Sequence, residues 1–142
     1  MASSPEYREL LQKIRELSTL EQAASLLAWD EQTHMPKGAS LDRAKQKAIL
    51  SGIIHERLTS KSIGKLIKTL KKQELSPDGK VIVRETERKW KRASSMPTEL
   101  VKEMTATQSL AIDAWEKARS KNKFELLKPC LEKIIELKIQ EA

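Results

Sequence analysis

Ser4-Pro5-Glu6, followed by Tyr7, Leu10, Leu11, Ile14 and Leu17, constrains this chain more than any other feature. Apolar residues recur at i, i+3, i+4, i+7 and i+10, which only a helix gathers on one face. A serine, a proline and an acid in front supply an N-cap, a preset φ and a charge that suits the helix dipole. The same cap-proline-acid start recurs at Ser76-Pro77-Asp78, and Pro97-Thr98-Glu99 opens a further segment. No alternating strand pattern, internal repeat or low-complexity tract competes with it. The expectation is all-α: a multi-helix bundle with long antiparallel helices, forming a single helical domain over residues 1–142.

The first stripe continues through Leu20, Ala23, Ala24, Leu27 and Ala28, favouring one long helix to about Asp30, with a bend allowed. Ser18-Thr19-Leu20-Glu21 also reads as a capping box that would start a second helix there. Pro36 and Gly38 end the segment. A helix from Ser40 to about Leu58 is expected to turn Leu41, Ala44, Ala48, Ile49 and Ile53 inward. Ile63, Leu66, Ile67 and Leu70 mark a short helix. A polar one follows to about Ala93, with Val81, Ile82, Val83 and Trp90 as its apolar residues. The segment after Pro97 points Leu100, Val101, Met104, Ala111, Trp115 and Ala118 at the core, interrupted by Thr107 and Gln108. Asn122 is expected to cap the last helix, whose stripe is Phe124, Leu127, Leu131, Ile134 and Leu137. Pro129 implies a restart or a kink in it. The stripe is still running at Ala142, which suggests truncation.

Lys plus Arg number 27 and Asp plus Glu 20, a formal charge of +7. Such an excess attracts nucleic acid or anionic membranes, but here the two signs are interspersed, as on solvated helix faces. Cys130 is alone, so no internal disulfide forms and a reducing compartment is the simpler assumption. With no signal-type leader and no run long enough to span a membrane, the expected location is cytoplasmic. Richness in Lys and Glu is also a thermophile trait.

Chemistry-bearing patterns are sparse. His55-Glu56-Arg57-Leu58-Thr59 begins like a zinc helix, but Thr59 stands where the second imidazole is needed. The other histidine is His34, far away in sequence, so no metal ligand set is assigned, and surface or capping roles are expected for both. There is no phosphate loop and no nucleophile elbow. Asp30 and Glu31 diverge by roughly 100° on a helix, too far apart to act on one substrate atom. Asp30 lies near a helix C-terminus, where its charge opposes the dipole, so a buried Arg or a nearby N–H is expected to compensate. Trp29, Asp30, Thr33 and His34 are candidates to line a groove, although the plainer reading is a corner pinned by the packing of Trp29. Arg84, Arg88, Lys89, Lys91 and Arg92 surround Trp90 and would suit a phosphate backbone with a stacked base. A solvated face with one buried tryptophan is the plainer reading of that cluster, and Trp115 is assigned to the core.

Leu20-Glu21-Gln22-Ala23-Ala24-Ser25-Leu26-Leu27-Ala28-Trp29-Asp30, then Thr33-x-Met35-Pro36-x-Gly38, resembles the N-terminal region of the thermostable (Taq-type) metallocarboxypeptidases. Three later blocks are similar to that family in the same order: Met96-Pro97-Thr98-Glu99-Leu100-Val101, Ala114-Trp115-Glu116-Lys117-Ala118-Arg119 with Asn122 and Phe124, and Pro129-x-Leu131-Glu132-Lys133-Ile134-x-Glu136-Leu137-Lys138. Lys37 departs from the family pattern, where a second proline is common, and so does His34, where an aromatic or small residue is usual. The resemblance implies the N-terminal helical part of a larger all-helical metallopeptidase. Such an enzyme removes single residues from peptide C-termini with bound zinc or cobalt. The family's His-Glu-x-x-His helix and glutamate ligand fall later than position 142, so the resemblance assigns this chain no catalytic residue and no cofactor of its own. It implies a cleft wall that is inactive alone and is completed by a homodimer partner or a complementary catalytic chain, with peptide as substrate only then. A free-standing basic module for nucleic acid and a self-associating or peptide-binding remnant are the alternatives.

Overall fold

The computed structural model describes residues 4–141, all in helices and their connections, with no strand among them. The end at Ala142 lies outside the described residues. The first element, α1 (Pro5–Thr33), is a single helix. The Ser4 hydroxyl accepts the Tyr7 N–H at 3.2 Å, the N-cap that the opening tripeptide called for. No second helix begins at Ser18. Thr19 and Ser25 instead donate their hydroxyls to the carbonyls of Arg15 and Glu21, four residues back, and the ladder continues. Past Thr33, the N–H groups of His34 and Met35 both reach the Asp30 carbonyl, at 3.0 and 2.9 Å. Gly38 then takes φ +96, a conformation that costs a side-chain-bearing residue dearly, and the chain turns into α2 (Ser40–Leu58).

The apolar centre lies under the first half of α1. Leu10 and Leu17 meet Ile63, Leu66, Ile67 and Leu70 of α3 (Lys61–Leu70) and Val83 of α4 (Pro77–Ser94). Gly64 lets α3 approach α4 closely: a Cβ there would stand 2.8 Å from Cζ2 of Trp90. The second packing unit pairs α2 with α5 (Thr98–Lys121), the most extensive helix contact in the chain. The expected inner face of α2 holds at Ala44 and is corrected at its large residues. Ala44 and Gly52 are buried, whereas Leu41, Ile49 and Ile53 are exposed. Ala44, Ala48 and Gly52 form a ridge of small residues at i, i+4 and i+8, which admits a close partner. A Cβ on Gly52 would meet the Lys102 stem of α5 at 2.4 Å. Ile49 and Ile53 lie off that ridge and face outward, while Leu41, in register with it, is exposed in the first turn of α2.

The far end also differs from expectation. Asn122 closes α5 with φ 51 and is not an N-cap for the last helix. The Lys123 N–H returns to the Ala118 carbonyl at 2.8 Å, the left-handed ending that suits Asn or Gly. A 3-10 turn (Phe124–Leu126) leads into α6 (Lys128–Glu141). Pro129 therefore occupies the first turn of a restarted helix and does not kink a running one. Trp115 and Phe124, assigned inward from sequence, are 51% and 59% exposed. Asn122→Ala is expected to lower stability by about 1 kcal/mol, from forcing a Cβ-bearing residue without local polar compensation into the left-handed region. Asn122→Gly is expected to lose nothing, and paired chemical-denaturation curves check both.

Candidate functional site at the corner of α1 and α2

The last turn of α1 carries four of the residues picked from sequence, and the structure divides them. Trp29 and His34 stack with ring centroids 5.1 Å apart, tilted by 44°. Thr33 joins them, donating its hydroxyl to the Trp29 carbonyl at 2.8 Å and lying 2.9 Å from His34 Nδ1. All three are exposed, so Trp29 does not pin the corner by burial. Asp30 turns away from them toward α2, where Arg43 donates to its carboxylate at 2.6 Å and to the Leu27 carbonyl at 2.8 Å. Of the two compensating groups that the dipole argument allowed, an Arg or an N–H, the structure supplies Arg43. One guanidinium fork satisfies a carboxylate and a carbonyl of the last helical turns, fixing where α2 leaves α1.

Sequence reasoning missed the neighbouring carboxylate. Glu31 has a side chain only 3% exposed, and Lys47 donates to it at 2.5 Å. Its other oxygen accepts the hydroxyl of Ser109, which is buried in the middle of α5. Arg43 and Lys47 stand one turn apart on α2, so the adjacent acids Asp30 and Glu31 each take their own cation and do not converge. The signal available was slight. Lys47 and Ser109 fall on the seam of small residues, a pattern visible only once the inner face of α2 is known.

His55 is also buried and not at the surface. Its Nδ1 lies 2.9 Å from the Thr98 hydroxyl and its Nε2 2.9 Å from the Ala93 carbonyl. The imidazole ties α2 to the junction between α4 and α5, and both ring nitrogens are occupied. Among the described residues no group of three or more His, Cys, Asp or Glu is arranged to hold a metal ion. The basic residues of α4 form a separate surface. Arg84 and Arg88 pair with Glu85 at 3.3 and 3.0 Å, while Glu87 takes Lys71 and Lys91, each at 2.9 Å. Lys91 and then Lys71, by hydrogen bonding, hold the Glu87 carboxyl below its usual range. Lys89 and Arg92 are exposed, but Trp90 between them is turned against Gly64 and the α1–α3 core, away from any stacked base.

The corner thus combines the Arg43 lock, a buried Glu31–Lys47–Ser109 contact and an exposed Trp29–Thr33–His34 cluster. Residues 9–142 match the family described as Carboxypeptidase Taq (M32) metallopeptidase. The chain belongs to that family. Thermostable carboxypeptidase 1 of Pyrococcus furiosus is 35% identical over 131 residues, covering 92% of this chain and 26% of that protein. Its counterpart from Thermus thermophilus is 33% identical, covering 100% of this chain and 29% of its own length. The crystal structure of BsuCP superposes with a TM-score of 0.93 at 31% identity over 97% of this chain and 28% of that one. Carboxypeptidase 1 of Bacillus subtilis is 33% identical over 131 residues, covering 91% of this chain and 26% of that protein. The chain therefore spans little more than a quarter of the Taq-family relatives it matches. The family implies a metal in the full-length enzymes, and the described residues here do not fit one. No helix described is long and apolar enough to cross a membrane.

Proposed function

We propose that this chain is the helical cleft wall of a metal-dependent carboxypeptidase that removes single residues from peptide C-termini, and that it does not hydrolyse peptides by itself. The observation that carries this is the superposition at a TM-score of 0.93 over 97% of the chain, against 28% of a Taq-family structure. In this reading Trp29, Thr33 and His34 line the cleft, and Asp30 acts behind them by holding Arg43. Zinc or cobalt, activating a water for attack on the peptide carbonyl, would be held by residues outside this chain. Completion comes from a complementary catalytic portion of the same family. The compartment is the cytoplasm, which the lone Cys130 supports.

The test has two arms. The chain alone, with zinc or cobalt and an N-blocked dipeptide, is expected to release no C-terminal residue. A chimera in which it replaces the matching region of Bacillus subtilis Carboxypeptidase 1 is expected to release it in a metal-dependent way. Release by the chain alone, or an inactive chimera that is folded and metal-loaded, would sink the proposal.

A further inference from the structure

The last helix is apolar on more of its circumference than its neighbour covers. Leu137 is 1% exposed, and Ile134 and Cys130 beside it are half-buried, all on the side that packs against α5. Leu131, Ile135 and Ile139 continue the apolar surface at i, i+4 and i+8, with exposures of 36%, 59% and 71%. At 100° per residue the apolar arc from Leu137 round to Ile139 spans roughly 200°, about twice the stripe that a helix needs against one partner. Lys138 and Glu141 fall within that arc and neutralise each other at 2.5 Å. Scattered exposed leucines are ordinary, but three in register along one ridge, bordering a buried half, form a face built for a second neighbour.

We infer that the Leu131–Ile135–Ile139 face of α6 docks onto the part of a Taq-family carboxypeptidase that lies beyond the quarter matched here, through an apolar helix face of that part. The inference takes its occupant from the cleft-wall reading. The relatives supply it: this chain covers only 26% and 29% of their lengths, so most of each lies outside the matched region and is available to cover this face. Ridge-into-groove packing of a helix along α6 would cover all three side chains at once.

Alkylation tests this in a Cys130→Ala background. Ile135→Cys should react freely with a maleimide in the isolated chain and at least tenfold more slowly in the chimera with the Bacillus subtilis enzyme. Glu136→Cys, whose native side chain is 60% exposed on the polar side, should react equally in both. Ile139→Cys repeats the measurement, so one poorly folded variant does not decide it. Equal rates for Ile135→Cys in chain and chimera overturn the docking face, even if the chimera hydrolyses peptide and the cleft-wall reading stands. Protection in an inactive chimera keeps the docking face and removes the cleft-wall reading. Slow alkylation of the isolated chain that accelerates on dilution assigns the face to a second copy and overturns the inference.

Discussion

Lys47→Met is expected to lower the unfolding free energy by about 3 kcal/mol, because it leaves the Glu31 carboxylate buried without a counter-charge. Glu31 is 3% exposed, so water cannot replace the lost ammonium, and the Ser109 hydroxyl alone remains to solvate the charge. Lys47 is itself 17% exposed, which sets the effect near the lower end of the usual 3–5 kcal/mol range for breaking buried pairs. The double variant Glu31→Leu with Lys47→Met should recover most of the loss, because two apolar groups of similar size need no pairing. Urea unfolding with an unchanged m-value measures both. A loss below about 1 kcal/mol in the single variant would mean that the pair is solvated and holds little.

Leu70→Ala is expected to cost about 3 kcal/mol, from lost transfer energy plus the cavity left among Leu10, Ile67 and Val83. Leu70 is 0% exposed and closes α3, a helix of 10 residues. Helices that short are marginal alone and owe their stability to packing. Ile49→Ala is the matched control: Ile49 is 61% exposed and its loss should stay within about 0.5 kcal/mol. A large effect at Ile49 would restore the inner face that the apolar pattern of α2 first indicated.

That contrast shows what was legible. The starts of α1 and α4 were readable because Ser-Pro-acid has one good backbone solution, and the core stripe from Tyr7 to Leu17 because nothing competes with it. The face of α2 was readable only at Ala44. Ile49 and Ile53 on one side and Ala44, Ala48 and Gly52 on another are both periodic, and side-chain size favours the wrong one. Which side wins depends on how closely α5 approaches, a tertiary fact. Asn122 failed for a related reason, since asparagine serves equally as an N-cap and as a left-handed ending. At the corner, the dipole argument anticipated an Arg or an N–H for Asp30 but could not say which. Glu31 and Ser109 stand 78 residues apart, beyond any local pattern. The family blocks carried the rest, because their order reports a whole arrangement that single periodicities do not.

The unbroken course of α1 has a geometric consequence. Beyond Pro5 it contains neither glycine nor proline, the residues at which helices fold like a joint. Its 29 residues make a rod about 44 Å long. One end is set in the α3–α4 cluster, and the other carries the Trp29–His34 rim and the Arg43 lock. The rod acts as a ruler between them. The spacing between foundation and rim is fixed by residue count, so adding or deleting a single residue along it would rotate the rim by about 100° before it moved it by 2 Å.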